Sequence, residues 1–134
     1  MSAADFFDTN VLLYLLSAEP AKADRAEQLL ATGGSVSVQV LNEFASVAGR
    51  KLAMGIAEIK VVLSTIRSVC SVKPLDVETH ELGLDLAERC RYSIYDCLIL
   101  AAALRANSST LYSADFQHGQ NIAQLTIINP FRNA

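Results

Sequence analysis

The chain of 134 residues is 51% hydrophobic and 19% charged, and its 14 acidic and 11 basic residues give a formal net charge of −3. A chain this apolar is not disordered, and its length suits one domain over residues 1–134 that needs no disulfide or metal to hold its core. The acidic balance argues at first against a nucleic-acid partner, because most such proteins neutralise phosphates with a basic surface.

Cysteine and histidine usage excludes two further classes of protein. The three cysteines form no C-x-x-C pair and the two histidines stand alone, which argues against a disulfide framework and against a zinc site. The longest apolar runs fall short of the ~20 residues that span a bilayer, and the acidic N-terminus lacks the basic region of a signal peptide. We therefore expect a soluble, cytoplasmic protein.

Short β-like runs alternate with helical patterns along the chain. In order, the patterns predict a strand over 5–7, a turn or short helix to residue 16, a helix over 20–31, a strand over 35–38, helices over 40–52 and 56–70, a strand over 72–75, helices over 76–91 and 95–106, and strands over 110–112 and 126–128. The helix over 95–106 is apolar on every side, which is typical of a central, buried helix. The alternation predicts an α/β fold with a parallel sheet and helices on both faces, in which ligands bind beyond the carboxyl ends of the strands.

Two acidic residues directly follow predicted strands. Asp8 comes after the apolar pair Phe6-Phe7, and Asp115 comes after the strand over 110–112. Each also has an ordinary structural interpretation, since Asp8 fits a helix cap and Asp115 fits a turn.

Two more acidic residues lie on predicted helices among apolar neighbours. Glu43 falls inside the stripe formed by Val40, Phe44 and Val47, and a Glu is almost never buried unless it has a partner. Asp96 is the single charged residue of the stretch 94–104, where Ser93-x-x-Asp96 also fits a capping box. A solvated helix edge and a helix cap are the respective alternatives to a functional role.

The four acidic residues share a placement just past a strand or in the first half of the helix that follows one. A parallel sheet brings such positions to one edge, where carboxylates repel one another unless cations hold them. An oxygen-only cluster suits Mg²⁺ or Mn²⁺, and such ions can activate water and stabilise an in-line phosphoryl displacement. The pattern predicts a metal centre made by the acidic quartet, defined as Asp8, Glu43, Asp96 and Asp115.

Four segments in this order carry a family resemblance: D-F-F-D-T-N-V-L-L-Y at 5–14, L-N-E-F at 41–44, Y-S-I-Y-D-C-L-I-L-A-A-A at 92–103 and L-Y-S-A-D-F at 111–116. Together they resemble the PIN-domain nucleases, most closely the VapC-type toxins of bacterial and archaeal type II toxin–antitoxin systems. The resemblance covers nearly the whole chain. It implies an endoribonuclease that depends on Mg²⁺ or Mn²⁺, a parallel sheet of strand order 3-2-1-4-5, a homodimer, and a cognate antitoxin that blocks the acidic cleft.

The resemblance also implies roles for individual residues. Asp8 and Asp96 match the principal metal ligands, while Glu43 and Asp115 would complete the metal's coordination, directly or through water, and orient the attacking hydroxide. The fourth acidic position of the family varies between Asp and Asn, so Asp115 is the least regular match. The polar positions around the quartet, which would hydrogen-bond its members, are Thr9, Asn10 and Ser113.

Two other classes of protein fit the sequence less well than a nuclease. A phosphorylated receiver module needs paired acids after its first strand and a Lys near the end of its last, whereas Asp8 is followed by Thr9-Asn10 and Lys73 lies mid-chain. A dehalogenase-like phosphatase needs an acid in place of Asn10. A PIN-like binding or RNA-processing module without an antitoxin stays open, because the sequence does not separate it from a toxin.

The quartet also changes the meaning of the net charge. Without these four residues, ten acidic residues face eleven basic ones, so the negative charge belongs to the cleft and does not exclude a nucleic-acid partner.

Several other residues keep two interpretations each. Packing competes with base stacking for Tyr92 and Tyr95, core with interface for the apolar face of 56–70, and solvation with phosphate contacts for Arg50, Lys51, Arg89 and Arg91.

Overall fold

A six-stranded sheet organises residues 5–132, the part of the chain that the computed structural model describes. The strands are β1 (Asp5–Phe7), β2 (Gly34–Ser37), β3 (Cys70–Lys73), β4 (Thr110–Tyr112), β5 (Asn121–Ile122) and β6 (Leu125–Ile128). Their order in the sheet is β3-β2-β1-β4-β6-β5, and β5 alone of these strands pairs antiparallel. Residues 1–4 and 133–134, which belong to the predicted domain, lie outside the described residues.

Six helices connect the described strands and flank the sheet, which confirms the predicted α/β class. They are α1 (Thr9–Tyr14), α2 (Pro20–Ala31), α3 (Val38–Lys51), α4 (Ile56–Val69), α5 (Val77–Arg89) and α6 (Ile94–Arg105). Within residues 5–132, none of these helices has the length and apolar character needed to cross a membrane.

The structure differs from the predicted strand order 3-2-1-4-5 by one added strand. The five parallel strands follow that order, and β5 pairs with β6 at the edge through Asn121 and Ile122. The turn between them places Ala123 at a φ of 52°. A strand of two residues is too short to show the alternation by which the other strands were predicted.

Element boundaries differ from the prediction by up to two residues, and two of the differences have a visible cause. The α3 helix begins at Val38, two residues early, because the Ser37 hydroxyl caps it by accepting the Val40 N–H at 3.2 Å. The third strand is Cys70–Lys73 rather than 72–75, because it pairs residue by residue with Gly34–Ser37 of β2 and so begins where α4 ends.

The α6 helix lies in the centre of the fold, as its apolar sequence predicts. All residues from Cys97 to Ala103 are buried, and the helix packs against α5, α3 and β2. Its approach to α5 is close, because a Cβ added at Gly83 would lie 2.8 Å from Cδ2 of Leu98. This packing fixes the helix whose first turn carries Asp96.

Gly34 allows β2 to lie close beside β1, the strand that leads to Asp8. Its φ is +152°, and an added Cβ would lie 2.7 Å from Cε2 of Phe7 and 3.0 Å from the carbonyl oxygen of Asp5. Phe7 is fully buried and the second atom belongs to the backbone, so neither can move aside. The sheet therefore requires glycine at this position.

We predict that Gly34→Ala lowers the free energy of unfolding by about 2 kcal/mol or more, because the new methyl group combines an unfavourable φ with overpacking. Urea denaturation measures this change. The matched control is Gly49→Ala in α3, whose Cβ would meet Cδ1 of Ile59 at 3.9 Å. That variant should be neutral or up to about 1 kcal/mol more stable, since Ala is the better helix former. Equal effects of the two substitutions would contradict the packing of β2 on β1.

Candidate active site

Asp8 lies at the carboxyl end of β1 and caps α1, so the predicted cap and the predicted site residue are the same carboxylate. Its side chain is 3% exposed. Oδ1 accepts the backbone N–H of Thr9 at 2.7 Å, while Oδ2 accepts the Ser113 hydroxyl at 2.6 Å and the Asn10 side-chain amide at 3.3 Å. Three donors from two segments of the chain thus hold one buried carboxylate.

Ser113 follows β4, and its hydroxyl connects Asp8 to the loop that carries Asp115. The hydroxyl oxygen donates to Asp8 and accepts the backbone N–H of Asp115 at 3.1 Å. Asn10 makes a second connection, because its Oδ1 accepts the backbone N–H of Ala114 at 3.0 Å. The parallel pairing of β1 with β4 therefore continues past both strand ends as a side-chain network.

Glu43 reaches the same network from the first half of α3, and it is half-buried. Its Oε1 accepts the Thr9 hydroxyl at 3.4 Å, and its Oε2 accepts the side-chain amide of Gln39 at 2.7 Å. Gln39 is 8% exposed and was missed from the sequence. Its place four residues before Glu43 on a predicted helix was the available signal, because residues at that spacing face one another.

Asp96 and Asp115 occupy less buried positions. Asp96 lies in the first turn of α6, where its backbone N–H donates to the hydroxyl of Ser93 at 3.2 Å, and Ser93 is the cap of that helix. Asp115 lies in the loop after β4 and is exposed. Asp96 is half-buried and Asp115 is exposed, so both carboxylates are more accessible to solvent than that of Asp8.

The charges of the quartet act on one another. The pKa of Asp8 is raised to about 7, mainly by burial and also by the charges of Asp115 and Glu43, against the lowering effect of hydrogen bonds from Ser113 and Thr9. Burial also raises the pKa of Asp96, with a smaller contribution from the charge of Asp115. Charge repulsion therefore couples Glu43 to Asp8, Asp8 to Asp115, and Asp115 to Asp96.

The donor set fits a hard cation, although it does not form a closed cage. Within residues 5–132, no group of three or more His, Cys, Asp or Glu side chains is arranged to hold a metal ion. Mg²⁺ is commonly bound by one or two carboxylates and keeps several waters, so it does not need such a group. Oxygen is the donor type of all four side chains, and a cation would relieve both the burial of the Asp8 charge and the repulsion from its neighbours.

The Tyr92 side chain packs within the protein, so its ring is not a free platform for base stacking. Its ring lies edge-on to Phe116 at 4.7 Å, and its hydroxyl accepts the backbone N–H of Gln117 at 3.3 Å and donates to the side chain of Gln120. It thereby holds the loop after Asp115 against the segment that precedes α6. Tyr95, beside Asp96, is 62% exposed.

The sequence model of the PIN domain family matches residues 6–121. The chain belongs to the PIN domain family. No curated protein sequence matches it significantly. This PIN domain is similar in fold to VapC20 of Mycobacterium tuberculosis, described as a toxin that cleaves the sarcin–ricin loop, with 22% identity over 83% of this chain and 89% of that one and a TM-score of 0.68.

Two further solved structures share the PIN fold at similar distance. A chain of a toxin–antitoxin complex from Klebsiella pneumoniae is 19% identical over 94% of this chain and 97% of that one, with a TM-score of 0.71. A chain of VapBC2 from Rickettsia felis, bound to a DNA fragment from its promoter, is 18% identical over 92% and 96%, with a TM-score of 0.66. These likenesses confirm the fold over most of the length of each chain.

We predict that Asp8→Asn stabilises the metal-free PIN domain at alkaline pH. The folded pKa of Asp8 lies above its ordinary value, so its contribution to stability is fully present below about pH 4 and is lost as the pH rises through 7. The loss amounts to at most about 4 kcal/mol. In EDTA, the variant should melt at a higher temperature than wild type at pH 8, and the gap should close toward pH 4.

The control for this experiment is Asp85→Asn, which removes the same charge from an exposed position on α5. Its melting temperature should follow that of wild type at both pH values. If Asp8→Asn gave the same pH dependence as wild type, the Asp8 carboxylate would not be destabilised by burial.

Proposed function

We propose that this PIN domain is an endoribonuclease that hydrolyses phosphodiester bonds of RNA, with Asp8, Glu43, Asp96 and Asp115 as its catalytic and metal-binding residues. The observation that carries the proposal is the buried carboxylate of Asp8, joined through Ser113 to the loop of Asp115 at the carboxyl edge of a PIN-domain sheet. That edge is where parallel α/β sheets bind their ligands. We also propose that residues 1–134 form one domain.

A divalent cation completes this proposed site. PIN-domain nucleases generally use divalent metal ions. Asp8 and Asp96 would hold Mg²⁺ or Mn²⁺, with Glu43 and Asp115 completing its coordination directly or through water. When bound, such an ion supplies Lewis acidity, which stabilises charge on the phosphate and makes water a stronger nucleophile.

The chain's own hydrogen bonds keep the proposed ligands in place. Both carboxylate oxygens of Asp8 accept hydrogen bonds, and so do both oxygens of Glu43. Thr9 serves both residues, because its backbone N–H donates to Asp8 and its hydroxyl donates to Glu43. Carboxylates fixed in this way need little rearrangement when a cation and a phosphate enter.

The biological role we propose is that of the toxin in a type II toxin–antitoxin pair. Support comes from the resemblance to VapC-type toxins and from the fold shared with a chain of the toxin–antitoxin complex from Klebsiella pneumoniae and with chains of VapBC2 from Rickettsia felis and of FitAcB from Neisseria gonorrhoeae. The proposal includes a cognate antitoxin that covers the acidic edge, a homodimer, and a place in the cytoplasm where RNA is available.

In vitro, the purified chain should cut RNA in Mg²⁺ or Mn²⁺, stop in EDTA, and resume when either metal is restored. Asp8→Asn and Asp96→Asn should each lower the cleavage rate by about a hundredfold or more, because each removes a proposed ligand. Cleavage of a labelled RNA measures this, and melting curves establish that both variants are folded. Asp85→Asn is the charge-matched control and should cut as wild type does. Cleavage by Asp8→Asn at the wild-type rate would contradict the proposed site.

In cells, induced expression of the wild type should arrest growth and create new RNA 5′ ends at specific positions, because a toxin acts on a limited set of sites. Mapping of 5′ ends after induction of wild type and of Asp8→Asn measures this. The new ends should be present in the first case and absent in the second. Specific cleavage without growth arrest would favour the role in RNA processing over the role of a toxin.

A further inference from the structure

A polar groove outside the acidic quartet lies between α2 and the segment that follows β6, with a volume of about 730 Å³. One face of α2 forms one wall, and the chain from Ile128 to Arg132 forms the other. Its polar and charged lining includes Asp24, Arg25, His118, Asn129 and Arg132.

The chain's own packing fixes the shape of this groove. The Nε of Arg25 donates to the carbonyl of Pro130 at 3.2 Å, which joins α2 to the opposite wall. Phe131 is buried against Tyr14, with the two rings edge to face at 4.3 Å. The side chain of Asn129 accepts the Phe131 N–H at 2.9 Å and closes the turn. The groove is therefore built by contacts within the fold.

His118 contributes a directed donor to the groove. Its Nδ1 accepts the backbone N–H of Asn129 at 2.9 Å. In the neutral ring the proton therefore resides on Nε2, which leaves Nε2–H as the donor. The side chain is exposed, so this donor can meet a ligand from solvent.

The groove lies on the same edge of the sheet as the acidic quartet. Ile128, at the carboxyl end of β6, pairs with Tyr112 of β4, and its carbonyl accepts the Ser113 N–H at 3.0 Å. The carbonyl of Tyr112 in turn accepts the Asp8 N–H at 3.0 Å. A ligand that follows this edge passes from the groove to the quartet across two neighbouring strands.

The two halves of this edge carry opposite charge. The groove presents the guanidinium groups of Arg25 and Arg132 against the single carboxylate of Asp24. The quartet presents four carboxylates, which repel a phosphate backbone wherever a cation does not offset them. Guanidinium groups bind phosphate oxygens through paired, charged hydrogen bonds, and His118 adds a further donor.

We propose that this groove binds the phosphodiester backbone of single-stranded RNA beside the bond to be cut, with Arg25, His118 and Arg132 as its phosphate-contacting residues. The inference rests on the proposed endoribonuclease function and adds to it the place where the substrate is held. Contacts to the backbone alone carry no sequence preference, so the groove supplies affinity and register.

The test measures binding apart from cleavage. In an Asp96→Asn background with Mg²⁺, fluorescence anisotropy of a short labelled oligouridylate gives the Kd at several salt concentrations. Adding Arg25→Gln and Arg132→Gln should weaken binding about tenfold and reduce the slope of log K against log salt by about 1.4, since each lost contact to a single strand contributes about 0.7. The matched control is Lys60→Gln with Arg67→Gln, two exposed basic residues of α4 outside the groove, which should change the Kd less than twofold.

A second variant distinguishes loss of phosphate contacts from loss of the groove's structure. Arg132→Gln alone keeps the bond between Arg25 and Pro130 and should still weaken binding about threefold. Unchanged binding in the groove variants, or an equal loss in the control, would overturn the proposal. So would tighter binding of a short polyglutamate peptide than of the RNA, which would assign the groove to an acidic protein partner.

Failure of the proposal that the groove binds RNA and failure of the proposed nuclease function give different results. If the wild-type chain cuts no RNA in Mg²⁺ or Mn²⁺, the nuclease proposal is wrong, whatever the anisotropy shows. If it cuts RNA and the groove variants have wild-type KM and Kd, the nuclease stands and the groove proposal is wrong. If both proposals hold, the groove variants raise KM with kcat within about twofold of wild type, because the contacts lie away from the bond that breaks.

Discussion

Burial of one carboxylate at the end of β1 is the constraint on which the candidate site depends. Asp8 loses most of its hydration, and donors from Thr9, Asn10 and Ser113 replace only part of it. Because Ser113 belongs to the segment after β4, the replacement requires Phe7 to pair with Tyr112 in the observed register. A slip of one residue would turn the Ser113 side chain to the other face of the sheet and leave the carboxylate without its shortest hydrogen bond.

The position of Asp96 is fixed by different means, through the anchoring of a whole helix at both ends. Ser93 caps the N-terminus of α6, and Arg105 at the last turn donates to the Thr79 hydroxyl at 2.8 Å and pairs with Asp76. Between these ends, the helix is buried on every side. Asp8 is thus positioned by a strand and a hydrogen-bond network, whereas Asp96 is positioned by the packing of helix α6. The two proposed principal ligands therefore depend on separate parts of the core.

The sequence contained most of the fold and the approximate location of the site, because both follow from local patterns. Alternation of strands and helices predicted a parallel sheet, and the carboxyl ends of its strands predicted where Asp8 and Asp115 would lie. The degree of burial of each carboxylate could not be predicted from local patterns. Asp8 is buried beside the Ser113 hydroxyl, which lies 105 residues away in the chain, whereas Asp115 is exposed. The β5 strand was missed because its two residues are too few to show alternation. The groove beside α2 was missed because it is made by contacts between segments far apart in the chain. Gln39 was within reach of sequence reasoning, because its spacing from Glu43 is local.

The separation of Asp8 and Ser113 along the chain also sets the order in which the site forms during synthesis. Asp8 and α1 leave the ribosome early, while Ser113 and Asp115 follow roughly a hundred residues later and must then insert β4 beside β1. Until that insertion, Asp8 faces water without its hydroxyl partner, and the four carboxylates are not gathered at one edge. The candidate site is therefore incomplete for most of the chain's own translation. Insertion of β4 beside β1 is the folding step that completes it, because this step brings the Ser113 hydroxyl to Asp8.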